Sequence, residues 1–535
     1  MDLSSRLEGV AWAGLDHACG DAADLPPLLR EIYRAEDPDE IVRELRARLV
    51  HQGHVVYSAS VEAVPVLVGM VVEAGCPARA AVVRLIGEIA REAGRAAATQ
   101  EPKIPWLRMW RENLPQVASL LTDGDVGVRR VASSALASAE FDQEQFLERL
   151  LEVCSTEQDE PALLGQLTAI ADLLQVSLAA VRDSVADRVL SVVSRGSPQV
   201  RMAGAFILRG PGDAGVFVEA LSAPDVEQWR RTWCVPGRRQ SIVLWVDQRL
   251  ADDRNLRLSL GTGLLASADA ATRTVAFKVL IRVAARWRSA MADVAAAGFR
   301  ALDDPAESVS SRALFVLALS RSRKPEHTNR LAEIAAGDGG HARQTAIWGL
   351  ARAGDSRCVP HLLSALRSPY FGYPHHQVYE AAVSLPALPS VDELLLEAAP
   401  WSDRLLPAIE SRLADTPAGL ERQTLLRVAS AWETAEALPP SAEHRKAEDR
   451  SSVPEQPASH ALTRTLLDLD KGHPADLMTL KQLTEMRTAD LQLIPVLRFL
   501  VRTDERVTAP GGGWHSIDLD EKLADAARRL LAATI

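Results

Sequence analysis

The densest set of side chains able to grip a ligand is Trp229-Arg230-Arg231-Thr232-Trp233, followed by Arg238-Arg239, Trp245 and, further on, Trp287-Arg288. Indole rings and guanidinium groups can stack on a base, clamp a phosphate backbone or anchor a protein partner. The same residues also pack between helices. A second set is the stretch Arg367 to Tyr379, which holds Tyr370, Phe371, Tyr373, His375, His376 and Tyr379. Three of the chain's five tyrosines fall in those 13 residues, together with two prolines and a glycine. That composition suits a surface interaction loop. His375 and His376, with Cys358 and His361, have zinc-binding side chains without zinc-binding spacing. His51 and His54 lack the glutamate of a His-Glu-x-x-His zinc site. With Trp12, His17, Gln52, Tyr57 and Ser58 they read as a polar junction between helices.

The remaining reactive residues form no catalytic set. Asp252-Asp253 and Asp303-Asp304 sit where turns and helix caps belong, so they do not make an acid–base pair. Gly261-Thr262-Gly263 lacks the rest of a phosphate loop, and no Gly-x-Ser-x-Gly setting supports a serine nucleophile. The five cysteines (Cys19, Cys76, Cys154, Cys234 and Cys358) are scattered, with no Cys-x-x-Cys pair, and read as free thiols. The chain is therefore expected to need no cofactor or metal, and an enzymatic role is disfavoured.

The elements that position these residues are short helices. Gly337 to Arg367 reads as helix, Gly354-Asp355 turn, helix, with Ala346, Leu350 and Ala353 on one face and Val359, Leu362, Leu363 and Leu366 on the next. Neither helix can bury its apolar face alone, so each pair requires a neighbour. A turn–apolar–Arg–Ala order recurs with Arg129, Arg201, Arg273, Arg312 and Arg343, at gaps of 72, 72, 39 and 31. A gap of 72 is two units of about 36, the size of a helix-pair repeat. An Asp or Ser in each turn can cap the following helix. Each arginine can reach across its turn to a carboxylate, forming a ladder along a stack.

This pattern predicts an all-α fold, a right-handed α-α superhelical solenoid of HEAT-like repeats. Residues 1–60 form an N-terminal helical cap and 61–435 the array, with inserted loops near 95–105 and 367–379. A flexible linker follows over 436–460, and 461–535 form a C-terminal helical cap over the last layer.

Asp338 to Leu363 resembles the short HEAT repeats often labelled phycobilisome-lyase-like, and the likeness extends over roughly residues 60–435. The N-terminal part resembles a family of bacterial HEAT-repeat proteins. The matching residues are Trp12, His17 and Gly20, then Asp24-Leu25-Pro26, then His51-Gln52-Gly53 through Tyr57-Ser58-Ala59-Ser60 and Val64-Pro65, with one residue more before Tyr57 than the family pattern. The resemblance implies a solenoid and assigns no activity. Alkylpurine glycosylases built from such repeats suggest an alternative, a nucleic-acid enzyme, for which Asp225, Trp229, Arg231 and Trp233 are the nearest matches. A pigment or small-metabolite lyase or chaperone is a third reading and requires a closed aromatic pocket.

Composition weighs among these. Of 535 residues, 47% are hydrophobic, 24% charged and only 5% aromatic, which suits a folded helical chain. The formal charge of −11 disfavours a phosphate-backbone ligand. The first residues lack a basic and apolar leader, and no apolar run approaches a membrane span. The expectation is a cytoplasmic, non-enzymatic scaffold that binds an unidentified protein partner through its concave face and inserted loops, with no role for membranes.

Overall fold

The computed structural model describes residues 3–50, 56–73, 75–95, 103–137, 142–176, 179–194, 196–208, 214–223, 226, 229, 242–250, 252–337, 340–368, 391–436, 475, 479, 483–484, 486, 493–508 and 513–534. These form two compact units, Met1–Arg249 and Leu250–Ile535.

In the first unit, helices α1 (Leu3–Glu8), α2 (Leu25–Glu31) and α3 (Pro38–Leu49) precede α4 (Ser58–Val72), α5 (Arg79–Arg95), α6 (Lys103–Ser119), α7 (Val126–Leu136), α8 (Gln143–Cys154), α9 (Glu160–Val176), α10 (Ala179–Val193), α11 (Pro198–Leu208), α12 (Ala214–Leu221) and α13 (Ile242–Arg249). Helices α5, α7, α9 and α11 pack successively against one another and form an inner row. The even-numbered helices α6, α8, α10 and α12 pack against that row and form the other layer. Outer α8 is amphipathic, burying Phe146, Leu147, Leu150 and Leu151. α4 is apolar nearly all round and is buried from Ala59 to Val71 except at Glu62 and Pro65.

The second unit repeats the plan. Its helices are α14 (Arg254–Leu264), α15 (Ala270–Arg286), α16 (Met291–Arg300), α17 (Glu307–Leu319), α18 (Pro325–Ala336), α19 (Gly340–Ala353), α20 (Cys358–Arg367), α21 (Val391–Glu397), α22 (Ser402–Asp415), α23 (Leu420–Glu436), α24 (Ile494–Arg502) and α25 (Gly513–Thr534). Helices α15, α17 and α19 make the inner row, with α14, α16, α18 and α20 alongside. Every residue from Arg312 to Leu319 of α17 is buried, as expected of a helix covered on all sides. Close approach is achieved through small residues: a methyl added at Gly298 would lie 2.9 Å from the Ala313 carbonyl oxygen of the neighbouring helix.

The chain is thus all-α, with repeating adjacent-helix contacts in a HEAT-like arrangement. One small departure lies near the N-terminus, where Asp16–His17 and Gly20–Asp21 form a two-residue antiparallel hairpin. Its turn depends on Gly20, whose φ of 137° lies outside the range open to other residues. The stop anticipated at Gly354-Asp355 has the αL geometry of a helix C-terminus: Gly354 has φ 72° and the Asp355 N–H donates to the Leu350 carbonyl at 2.9 Å. The inserted loop read at 95–105 is shortened by α6, which already begins at Lys103, while 96–102 lie outside the described residues. The expected loop from 369 to 379 and the linker 437–460 also lie outside them.

Candidate partner-binding surface

Arg129, Arg201, Arg273 and Arg343 occupy equivalent places in the first turns of their helices, Arg312 lies two residues further into its own, and the five do not share one kind of partner. Arg129, in the first turn of α7, donates from Nε to Glu157 at 3.0 Å and from Nη1 to the Asp123 carbonyl at 3.0 Å. Arg273, in the first turn of α15, donates to Asp304 at 2.7 and 2.9 Å and to the Ser267 carbonyl at 2.9 Å. Each therefore ties the turn before its own helix to the turn before the next inner helix. The receiving carboxylates do a second job, accepting backbone N–H groups of their turns: Glu157 from Asp159 and Asp304 from Ala306. Arg79 makes the same bridge to Asp123 at 3.1 Å and was not singled out by the repeat pattern. Arg201 reaches the Gly196 carbonyl at 3.3 Å and Glu219 at 2.6 Å on α12. Arg312 is buried on α17, where burial lowers its pKa. Arg343 is half-buried on α19 beside His361, whose pKa is lowered first by burial and then by that charge.

The N-terminal junction residues that are described do come together. Trp12 is buried and donates from Nε1 to the Leu7 carbonyl at 2.9 Å. His17 is buried, accepts the Cys19 N–H at Nδ1 and meets Asp24 through Nε2, both at 2.9 Å. Its proton therefore sits on Nε2. Burial works to raise the Asp24 pKa, but Arg48 and His17 outweigh it and hold the carboxyl below the usual range. Tyr57 is half-buried just before α4. His51 and Gln52 lie outside the described residues.

Of the aromatic candidates, Trp229 is half-buried. Trp287 is buried, with the Arg286 and Arg257 guanidinium carbons 4.7 and 5.5 Å from its ring centroid. Asp225, Arg230, Arg231, Trp233, Tyr370, Phe371, Tyr373, His375, His376 and Tyr379 lie outside the described residues. Cys358 is fully buried in the apolar core and burial pushes its thiol up to about 12. Cys76 and Cys154 are buried free thiols and Cys19 is an exposed one. No group of three potential metal ligands occurs among the described residues.

The most extended charged constellation lies in the second unit, and of its three arginines the sequence singles out Arg288 alone. Arg288 follows α15, Arg321 follows α17 and Arg352 lies in the last turn of α19, at intervals of 33 and 31 residues. All three meet the acidic side of α25. Arg288 forms a two-pronged pair with Asp520 at 2.7 and 2.8 Å. Arg352 donates to Asp518 at 2.7 Å, Glu521 at 2.9 Å and Glu397 at 2.8 Å. Arg321 pairs with Glu521 at 3.1 Å and Glu397 at 3.2 Å, and lies 3.6 Å from Asp518 and Asp525. Arg321 has φ 51°, a left-handed conformation unfavourable for a side chain of its size. Burial works against its charge, but Glu397, Glu521, Asp518 and Asp525 outweigh that and hold its pKa up. An arginine at a helix C-terminus also complements the helix dipole, so each successive inner helix presents a cation at the same end.

No protein-family model matches this chain, and no curated protein matches it. Similar solved structures include an engineered protein, 13% identical over 77% of this chain and 99% of that chain, with a TM-score of 0.34. Importin beta in an ammonium sulfate condition is 12% identical over 94% of this chain and 69% of that one, with a TM-score of 0.38. A homology model of the full-length AP-3 complex in an intermediate open conformation is 7% identical over 94% and 90%, with a TM-score of 0.34. No helix among the described residues is long and apolar enough to cross a membrane.

Proposed function

We propose that this chain is a non-enzymatic scaffold of the bacterial HEAT-repeat kind, a right-handed α-α solenoid that binds a protein partner in the cytoplasm through its concave face and inserted loops. The observation that supports this reading best is internal to the second unit. There, repeat-spaced arginines at the C-terminal ends of α15, α17 and α19 hold a polypeptide helix through its acidic side chains. A stack of helices that presents one cation per layer is suited to reading another helix by charge and spacing. The charge of −11 makes nucleic acid the weaker alternative.

The test is affinity capture from native cell extract with the intact chain and with a variant lacking residues 369–379. A specific protein retained by the intact chain and lost from the variant is the expected result. A salt-sensitive shift of duplex DNA, with no protein retained, would overturn the reading in favour of the nucleic-acid alternative.

A further inference from the structure

Within the second unit, the segment that carries α25 has an apolar cluster of its own. Its apolar residues Leu497, Leu500, Leu523, Ala527 and Leu530 make a core of their own with Leu493. Ile517 of α25 enters the apolar core of the inner row, with residues such as Phe277, Phe315 and Trp348. Much of the described joint is polar. The Arg288 N–H donates to the Asp504 carbonyl and the Arg506 N–H to the Arg286 carbonyl, each at 2.8 Å. Arg506 also donates to the Ala284 carbonyl at 2.7 Å. Ser289 donates to Asp504, Arg286 pairs with Glu505, and the arginine pairs described above add to these.

Such a joint has the composition of an exchangeable interface. Permanent interfaces resemble a domain core cut in half, whereas transient ones are polar. Burying paired charges adds little net stability over an apolar joint of the same volume, because desolvation opposes attraction. What charges do supply is register and partner choice. Removing one charge leaves its partner stranded, whereas undocking the segment releases Arg288, Arg321 and Arg352 from it together and leaves Asp520 with Arg506, Asp518 with Lys522 and Glu397 with Arg321 and Arg352. Ile517, Asp518, Asp520, Glu521 and Asp525 then read as a pattern: one apolar anchor, followed by carboxylates one, three, four and eight residues later.

Building on the scaffold reading above, we propose that Arg288, Arg321 and Arg352 form a recognition strip for an acidic amphipathic helix of a protein partner, and that α25 is its resident occupant, displaced when the partner binds. The partner helix carries the same anchor-and-carboxylate spacing. The strained backbone at Arg321 aims the middle cation at the occupant. The resident helix lowers the apparent affinity of any competitor by the fraction of molecules in which the strip is free.

The test uses the full chain and a fluorescein-labelled peptide of residues 513–534. The chain is prepared as wild type, as the loosened variant D518N/E521Q, and as that variant with Arg321→Glu added; unfolding curves confirm that all three fold. The expected result is binding about tenfold tighter to the loosened variant than to wild type, and about tenfold weaker again when Arg321→Glu is added. A peptide carrying Asp525→Arg recovers binding to the chain with Arg321→Glu. Equal binding to all three chains, or no saturable binding to any, overturns the strip. A chain that still captures a protein through residues 369–379 while failing this test keeps the scaffold reading and loses this one.

Discussion

Arg273 and Asp304 face each other as a two-pronged ion pair, Nε to Oδ2 at 2.7 Å and Nη2 to Oδ1 at 2.9 Å, while Asp304 also accepts the Ala306 N–H ahead of α17. One carboxylate thus starts one helix and fastens the next layer to it. Arg273 chiefly, through its hydrogen bonds, holds the Asp304 carboxyl below its ordinary value of 3.8. Its folded pKa is below the unfolded one, so the pair contributes stability above about 3.8. That contribution is lost as pH falls through the folded value. Asp304→Asn should cost about 1.5–3 kcal/mol at neutral pH. The cost should shrink towards zero as pH falls below the folded pKa, read as the gap between the urea unfolding midpoints of wild type and variant.

Arg352 is the most buried cation of the strip, its side chain 1% exposed beneath Glu397, Asp518 and Glu521. Arg352→Met takes from those carboxylates the one cation that all three share at the centre of the cluster, and should destabilise the second unit by about 3–5 kcal/mol. Arg330→Ala removes pairs to Asp303 and Glu333 that lie largely in water, and should cost less than about 1 kcal/mol. Similar unfolding midpoints for the two variants would contradict this ranking.

Gly298→Ala places a methyl 2.9 Å from the Ala313 carbonyl oxygen and 3.3 Å from Val316 Cγ1. Helices α16 and α17 must separate to admit it, at a cost of about 1–3 kcal/mol. Gly340→Ala meets nothing within 4 Å and should be neutral or slightly stabilising in the first turn of α19. Calorimetric unfolding of the two single variants provides the comparison.

High salt should loosen α25 before it loosens the inner row. At about 1 M salt the screening length falls to about 3 Å, while apolar packing is not weakened by screening. Amide exchange over 513–534 should accelerate as salt rises, with α17 remaining protected. Unchanged exchange in α25 would show that charge is not what keeps it docked.

The helices and their stacking were legible because each helix carries its own apolar period and turn residues within about 20 residues of sequence. Arg129 and Arg273 were legible for the same local reason: each follows a capping aspartate by four residues. Arg79 escaped because Gly75, not a capping aspartate, stands four residues before it. The strip escaped more completely. Arg352 meets Asp518 across 166 residues and Arg288 meets Asp520 across 232. Periodicity reports what one helix buries, not which distant segment covers it. The intervals of 33 and 31 between Arg288, Arg321 and Arg352 were the available signal, since they match the repeat length while lying at helix ends rather than starts.

In the first unit, Arg79, Arg129 and Arg130 each span from one inner helix to the turn ahead of the next, meeting Asp123, Glu157 and Asp159. The two edges of that stack therefore differ in how they accommodate changes of chain length. One residue inserted at 123–125 or 157–159 shifts a helix start and a bridging carboxylate together, and two layers lose their alignment. Lengthening the chain between α5 and α6 touches none of these three pairings, so natural variants of this protein should differ in length there and keep the turns at 123–125 and 157–159 constant.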